Sequence, residues 1–391
     1  MSALRRRRAL EWSLVSAAFA VVAFTIGVWV ALDRRPPEWD HANHLQRVVE
    51  CADDLARGDV RTVLARSSFY PPVVPCLAGL AYALAPSDAA AAQSVILAFL
   101  GLGMAAVYAL GRRFAGGAGG VAAALAFGTA PFVVFSAMRF QLDLPLAAVV
   151  ALALLLLLRT EDFGHRGASL LLGFVLGAGM LTKPPFAAYL LPPIAWTLAR
   201  TRGRRAFANA TLALLVGALL ALPWYGPRLF GLGPQIANRS FTQAAESGYP
   251  ETFTAAALRF YPEWFATQFG VVAVLLFGIG LVVAARRRQA WLLAAFLVPF
   301  AAFALIQNKN LRYTLPLLPV AAVLAVVQVG ATAFAVPGGV TIPLLGRPLA
   351  LESRPMRTDW HHRDIMALIM RDQRGAAATV SVVPNHNFFS V

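Results

Sequence analysis

Long apolar runs alternate along most of this chain with short charged interruptions. The runs at 14–32, 89–110, 121–137, 144–158, 169–181, 186–198, 207–224, 271–284, 291–306 and 315–333 each read as a helix entering a bilayer. A spanning helix needs about 20 apolar residues, because every backbone polar group in hydrocarbon must be satisfied within its own segment. Several runs fall short of that length, so the turn around Lys183, between 169–181 and 186–198, is expected to dip into the membrane. The run 71–86 reads as re-entrant, since a full crossing there would reverse the side of every later loop. The pattern predicts an all-α polytopic membrane protein of about nine to eleven transmembrane helices over residues 1–346.

Two polar stretches interrupt it at length. The first loop, 33–70, carries His41, Leu45, Val48, Val49, Ala52 and Leu55 at helical spacing, opposite Arg47, Asp53 and Asp54. That spacing predicts an amphipathic helix closed by Gly58. The second long loop is 226–265. Beyond 346, residues 347–391 read as an incomplete, small soluble α/β portion, with a helix over 365–370 and a strand over 379–383. The chain stops where such a domain would need further strands, so it reads as truncated.

Composition agrees with the pattern: 59% of the 391 residues are hydrophobic and 14% charged, against about a quarter charged in a soluble domain. The formal charge of +15 is distributed as short clusters, at 5–8, 112–113, 200–205 and 286–288. On the topology above, fifteen basic residues fall on one set of short loops and four on the other, which places the rich side in the cytoplasm. Arg5 to Arg8 followed by 14–32 then reads as an uncleaved signal anchor, and 33–70 as the first outward-facing loop. No aromatic platform accompanies the clusters, so no nucleic-acid partner is expected. Cys51 and Cys76 read as unpaired thiols, one on the amphipathic helix and one in an apolar segment, with a disulfide as the alternative.

The spans are nearly free of charge, and the ionisable groups collect at their outer ends: Asp40, His44, Arg139, Asp143, Lys183, Lys309 and Arg312, with Tyr313 beside them. Each has a plain reading. Asp40 and Asp143 stand where helix caps stand, Lys183 where an interfacial lysine snorkels, and Lys309 and Arg312 where topology anchors belong. Together they describe a surface that activates a hydroxyl with a carboxylate and holds a phosphate with cations. Asp40, His41 and His44 form a partial metal-ligand set without a third strong ligand at a recognisable spacing. No cofactor is therefore expected, and a divalent metal is the minority reading. A transporter or flippase of lipid-linked glycans, without transferase activity, is the alternative to an enzyme. It would place its charges near mid-membrane.

Five motifs occur in order: WDHANHL at 39–45, FYPPVVPCLAGL at 69–80, RFQLDLPL at 139–146, LTKPPF at 181–186 and NKNLRYTLPLLP at 308–319. Together they resemble the GT-C membrane glycosyltransferases, family 39, the group of the protein O-mannosyltransferases and the bacterial aminoarabinose transferase that modifies lipid A. The resemblance implies an inverting transfer of a sugar from a polyprenyl-phosphate donor to a hydroxyl on a lipid, glycan or protein. It implies a multi-pass protein of the plasma (inner) membrane whose site faces the outer, periplasmic side. Asp40 is similar to the family's base and Asp143 to a second acid near the site. Lys183 and Arg312 are similar to its phosphate contacts, and His44, Tyr70, Arg139, Lys309 and Tyr313 are grouped with them as substrate-binding. Where many members have Asp-Glu, this chain has Asp40-His41.

Overall fold

The computed structural model describes residues 2–66, 69–82, 84–85, 89–327, 343–344 and 347–348. The helix expected at 365–370 and the strand at 379–383 lie outside the described residues. The described part is helical, apart from a two-residue antiparallel pairing of Pro343–Leu344 with Arg347–Pro348.

Helix α1 (Ser2–Leu32) is continuous through the basic cluster and the first apolar run. Then follow α2 (Trp39–Ala56), α3 (Val60–Arg66) and α4 (Val73–Tyr82). At 10 residues, α4 is about 15 Å long, half a bilayer core, as a re-entrant segment would be. The runs expected at 89–110 and 121–137 are largely joined in α5 (Ala89–Gly128), which folds back on itself. Gly116 makes the reversal at φ 72°, a left-handed conformation that a side chain would strain. The arms pack so closely that a Cβ on Gly120 would lie 2.7 Å from the Tyr108 carbonyl oxygen. Arg112 and Arg113 therefore sit at a tight inter-helix turn. Here Glu11 of α1 accepts a 2.7 Å hydrogen bond from the Tyr108 hydroxyl and pairs with Arg112.

After α6 (Pro131–Ala137), α7 (Asp143–Arg159) is buried from Asp143 through nearly all of its length and forms the centre of the bundle. It packs against α5, α8 (Arg166–Met180), α9 (Phe186–Arg200) and the turn Leu315–Leu317. Helix α10 (Arg204–Tyr225) lies along α8. The stretch read as a long loop at 226–265 is mostly helical: α11 (Leu229–Ala237), α12 (Gln243–Glu246) and α13 (Ala255–Phe269). Helices α14 (Val271–Arg286), α15 (Ala290–Ala304) and the fully buried α16 (Leu318–Val326) complete the bundle.

Among the described residues, three helical stretches are by themselves long and apolar enough to cross a membrane: Leu4–Leu32, the folded Ala89–Gly128, and Arg204–Glu246. Helices α7, α8, α9, α14 and α15 have 15–17 residues, about 22–26 Å, somewhat short of the ~30 Å hydrocarbon thickness. The perimeter is apolar. Leu171 and Phe174 of α8, Leu215, Leu219 and Leu222 of α10, and Leu275 and Val282 of α14 are all exposed. So many exposed large apolar side chains are expected against lipid and not against water. The fold is the all-α membrane bundle the sequence predicts.

The cysteines overturn a further sequence expectation. Cys51 and Cys76 form a disulfide between α2 and α4, with Cα atoms 5.2 Å apart. Helix α2 lays Val48 and Cys51 on its buried face, against α4. The thiols that sequence spacing left separate therefore meet through packing.

Candidate active site

Four segments converge at one end of the bundle: the first turn of α2, the first turn of α7, the 181–185 turn between α8 and α9, and the 309–314 turn before α16. Neither acid acts as a helix cap. The position before α2 is Glu38 and that before α7 is Leu142, and neither helix has a side-chain cap. Asp40 and Asp143 lie inside the first turns, where the helix dipoles favour negative charge and the carboxylates are left for other partners. The residue ahead of Asp40, Trp39, has φ 24°, a left-handed backbone of the kind that collects at functional sites.

Asp40 accepts a hydrogen bond from Arg312 Nη1, and this ion pair joins positions 272 residues apart. Lys183 Nζ donates to Asp143 Oδ1 at 2.5 Å. Arg312 Nη1 also lies 3.9 Å from Asp143 Oδ2, so the guanidinium stands between the two acids. The four groups balance in charge, yet Asp143 Oδ2 is buried with no hydrogen bond of its own. The inner pair is nearly dry, with side-chain exposures of 2% for Asp143 and 9% for Lys183; Asp40 and Arg312 remain at 28% and 26%. Asp40 is thus the more accessible of the two acids.

Burial raises the Asp40 pKa, but the charge and hydrogen bond of Arg312 outweigh it and hold the carboxyl below its usual range. Burial disfavours the charge of Arg312, but Asp143 and then Asp40 reverse this and push its pKa up. His44, one helical turn from Asp40, is pushed down to about 3, mainly by burial, so it is neutral at neutral pH. Its ring meets Tyr70 edge-on at 5.1 Å, and the Tyr70 ring also carries Arg47 at 5.1 Å and Lys183 at 5.8 Å. The Tyr313 hydroxyl is pushed up to about 12, first by burial and then by Tyr70, so it stays protonated.

The other expected residues lie further out. Arg139 sits over the Phe135 ring at 4.2 Å and, with His41, lines a separate cavity of about 110 Å³ beside α1. His41 is pushed down to about 4 by burial and then by Arg139. Lys309 turns away from the acids and donates to the carbonyls of Ala304 at 2.6 Å and Ile306 at 2.5 Å, at the end of α15. Among the described residues, no three His, Cys, Asp or Glu side chains are gathered to hold a metal ion.

Several residues that fix the site carry no motif. Asn310 Oδ1 accepts from the Arg312 backbone N–H at 3.0 Å and from its Nε at 3.2 Å, which aims the guanidinium. Buried Gln268 donates to the Leu311 carbonyl at 2.8 Å and accepts from the Thr314 hydroxyl at 2.7 Å. The Tyr189 hydroxyl donates to the Tyr313 carbonyl at 2.8 Å. The Lys183 turn is tied on both sides, by the Val73 N–H to the Leu181 carbonyl at 3.4 Å and by the Tyr225 hydroxyl to the Met180 carbonyl at 2.8 Å. A glutamine at the end of an apolar helix was the one visible signal among these.

The all-helical membrane bundle has the GT-C fold. The profile of the dolichyl-phosphate-mannose-protein mannosyltransferase family matches residues 70–229, a stretch that contains Tyr70, Asp143 and Lys183. Among solved structures, ArnT from Cupriavidus metallidurans in the apo state aligns at TM-score 0.58 and 20% identity, over 82% of this chain and 59% of that one. The same protein bound to undecaprenyl phosphate aligns at TM-score 0.60 and 20% identity, over 80% of this chain and 59% of that one. The Archaeoglobus fulgidus oligosaccharyltransferase tethered to an acceptor peptide aligns at TM-score 0.53 and 13% identity, over 81% of this chain and 49% of that one. The chain thus spans about 59% of the length of ArnT. No curated protein sequence matches it.

Proposed function

We propose that the protein is a membrane glycosyltransferase that moves a sugar from a polyprenyl-phosphate donor to a hydroxyl acceptor at the outer face, with inversion. The observation that carries this reading is the convergence of Asp40, Asp143, Lys183 and Arg312 from four distant segments onto one end of the bundle. The charges sit at helix ends and not within broken mid-membrane helices, which favours surface chemistry over transport. The likeness to a protein whose structure holds undecaprenyl phosphate supports a lipid phosphate as the donor's anchor.

In this reading the donor phosphate draws Arg312 and Lys183 toward itself, and the guanidinium that now holds Asp40 is released from it. The freed carboxylate takes the proton of the acceptor hydroxyl. The acceptor oxygen forms its bond to the anomeric carbon as the bond from that carbon to the phosphate oxygen breaks. The electron pair leaves with the polyprenyl phosphate, whose charge the two cations stabilise. His44 and Tyr70 wall the space beside Asp40, and Tyr313 carries a protonated hydroxyl next to Arg312.

The test is transfer from a radiolabelled polyprenyl-phosphate sugar by the purified chain. Asp40→Asn, nearly isosteric, should lower the rate by about 10²–10⁴-fold, the range a positioned general base contributes. Full-rate transfer by that variant would refute the assignment of the base.

A further inference from the structure

At the opposite end of α7 from Asp143 lies a cavity of about 600 Å³, whose lining includes Arg113, Arg200, Arg288, Trp196, Gln289 and Trp291. It is separated from the acid–cation cluster by the length of the helix, about 22 Å for 15 residues. The candidate active site uses none of these residues.

Backbone strain concentrates around it. Six non-glycine residues among those described have positive φ, and four of them are Glu161 (48°), Asp162 (53°), Phe163 (65°) and Arg288 (55°). Glu161, Asp162 and Arg288 line the cavity and Phe163 is next in sequence. Such conformations persist only where the surroundings over-determine them. Here Thr160 Oγ1 accepts from the Phe163 N–H at 3.1 Å, and Asn209 of α10 donates to the Phe163 carbonyl at 2.8 Å. Arg288 follows α14 at the position glycine usually takes. The Gln289 N–H returns to the Ala284 carbonyl at 2.9 Å and the Arg288 N–H to the Ala285 carbonyl at 3.0 Å. A guanidinium is therefore kept where a glycine would be less strained.

The charges in the cavity are unequally paired. Asp162 is 3.6 Å from Arg200, and Glu161 is 3.1 Å from His165. Arg113 and Arg288 have no carboxylate partner among the described residues. The lining also includes Gln289, whose Oε1 has no hydrogen-bond partner, and Trp291, whose Nε1 has none and whose ring stacks on Phe114 at 6.3 Å. Leu157 and Leu158 continue the wall, and Trp196 is 41% exposed at the perimeter. Unpaired guanidinium groups beside an apolar wall suit a phosphodiester whose remainder is hydrocarbon. An interfacial tryptophan at the rim is the usual companion of a lipid headgroup.

We infer that this cavity binds the anionic headgroup of a membrane phospholipid, at the end of the bundle opposite the candidate active site. The experiment uses the full chain purified in detergent, with phosphatidylglycerol, phosphatidylcholine or glycerol 3-phosphate added, read by thermal unfolding and by lipid adducts in native mass spectrometry. Phosphatidylglycerol should raise the Tm and give a retained adduct, and the other two should not. Arg288→Gly relieves the left-handed strain, so it should unfold no earlier than wild type without lipid, yet lose the phosphatidylglycerol shift. Arg113→Gln, which leaves both strained turns intact, should bind phosphatidylglycerol about fivefold more weakly. Undiminished shifts in both variants would overturn the site. Equal protection by phosphatidylcholine would overturn the need for an anion, and equal protection by glycerol 3-phosphate would overturn a lipid as its source.

Discussion

Lys183 and Asp143 are almost completely enclosed, and their 2.5 Å contact is what makes both charges tolerable there. Breaking a buried ion pair by removing one partner typically costs about 3–5 kcal/mol, because the other charge stays behind, whereas replacing both is often close to neutral. Asp143→Asn should therefore lower the Tm markedly, and Asp143→Asn combined with Lys183→Met should recover most of the loss. A double variant as unstable as the single one would show that the damage lies elsewhere. His44 makes a prediction with a defined sign. Its folded pKa of about 3 lies below the unfolded 6.5, so the unfolded chain binds more protons between those values and stability falls as pH drops through that window. His41, at about 4, acts in the same direction. Each histidine contributes a slope of up to about 1.4 kcal/mol per pH unit. Asp40 adds its own loss only at lower pH, where its depressed carboxyl is protonated. Unfolding between pH 7 and 5 should accordingly be less pH-dependent in His44→Gln than in wild type; parallel curves would show that His44 does not titrate as a buried neutral ring.

At the scale of elements, the disulfide clamps the helix that carries Asp40 and His44 onto α4, and it closes a 25-residue separation. The chain-entropy account gives such a loop roughly 3 kcal/mol. Cys51→Ser with Cys76→Ser, or reduction of wild type, should lower the unfolding free energy by a similar amount, and wild type should show no titratable thiol until reduced. A free thiol in the unreduced protein would contradict the bond. The sequence showed both cysteines but not their meeting, because pairing depends on which face α2 turns toward α4. The same limit runs through the site. Apolar runs, the short helix α4 and the polar helix ends were legible, since each is written in local periodicity or charge placement. That Arg312 reaches Asp40 across 272 positions was not, and Asn310, Gln268 and Tyr189, which hold that turn, look ordinary in isolation. Lys309 shows the converse: a lysine ahead of an apolar run reads alike whether it faces a substrate or, as here, caps α15. Helical content in 226–265 went unseen because that stretch mixes polar residues, glycines and prolines without a clear period.

For the whole molecule, the two ends of the bundle differ in a way that makes orientation testable. One end holds the acid–cation cluster and the Cys51–Cys76 disulfide, a bond that persists in oxidising compartments. The other gathers Arg112 and Arg113, Arg200 and Arg286 to Arg288, the basic excess expected of the cytoplasmic side. The 239–249 segment belongs to the first end, since Ser240 and Tyr249 accept from Asn308 and Gln307, ahead of the Arg312 turn. The turn before α8, with exposed His165, belongs to the second. With both native cysteines in the disulfide, wild type is its own unlabelled reference for a membrane-impermeant maleimide. Ser247→Cys should react in intact cells, and His165→Cys only after the membrane is opened. The reverse pattern would put Asp40 in the cytoplasm, on the reducing side and away from any acceptor on the outer face, so the proposed reaction and the disulfide would fail together. Labelling of both positions in intact cells would show a leaky preparation, which a cytoplasmic thiol protein measured in the same cells would reveal. Under the proposed function, the lipid donor would be met at the disulfide-clamped end, and the arginine-rich end would face the cytoplasmic leaflet.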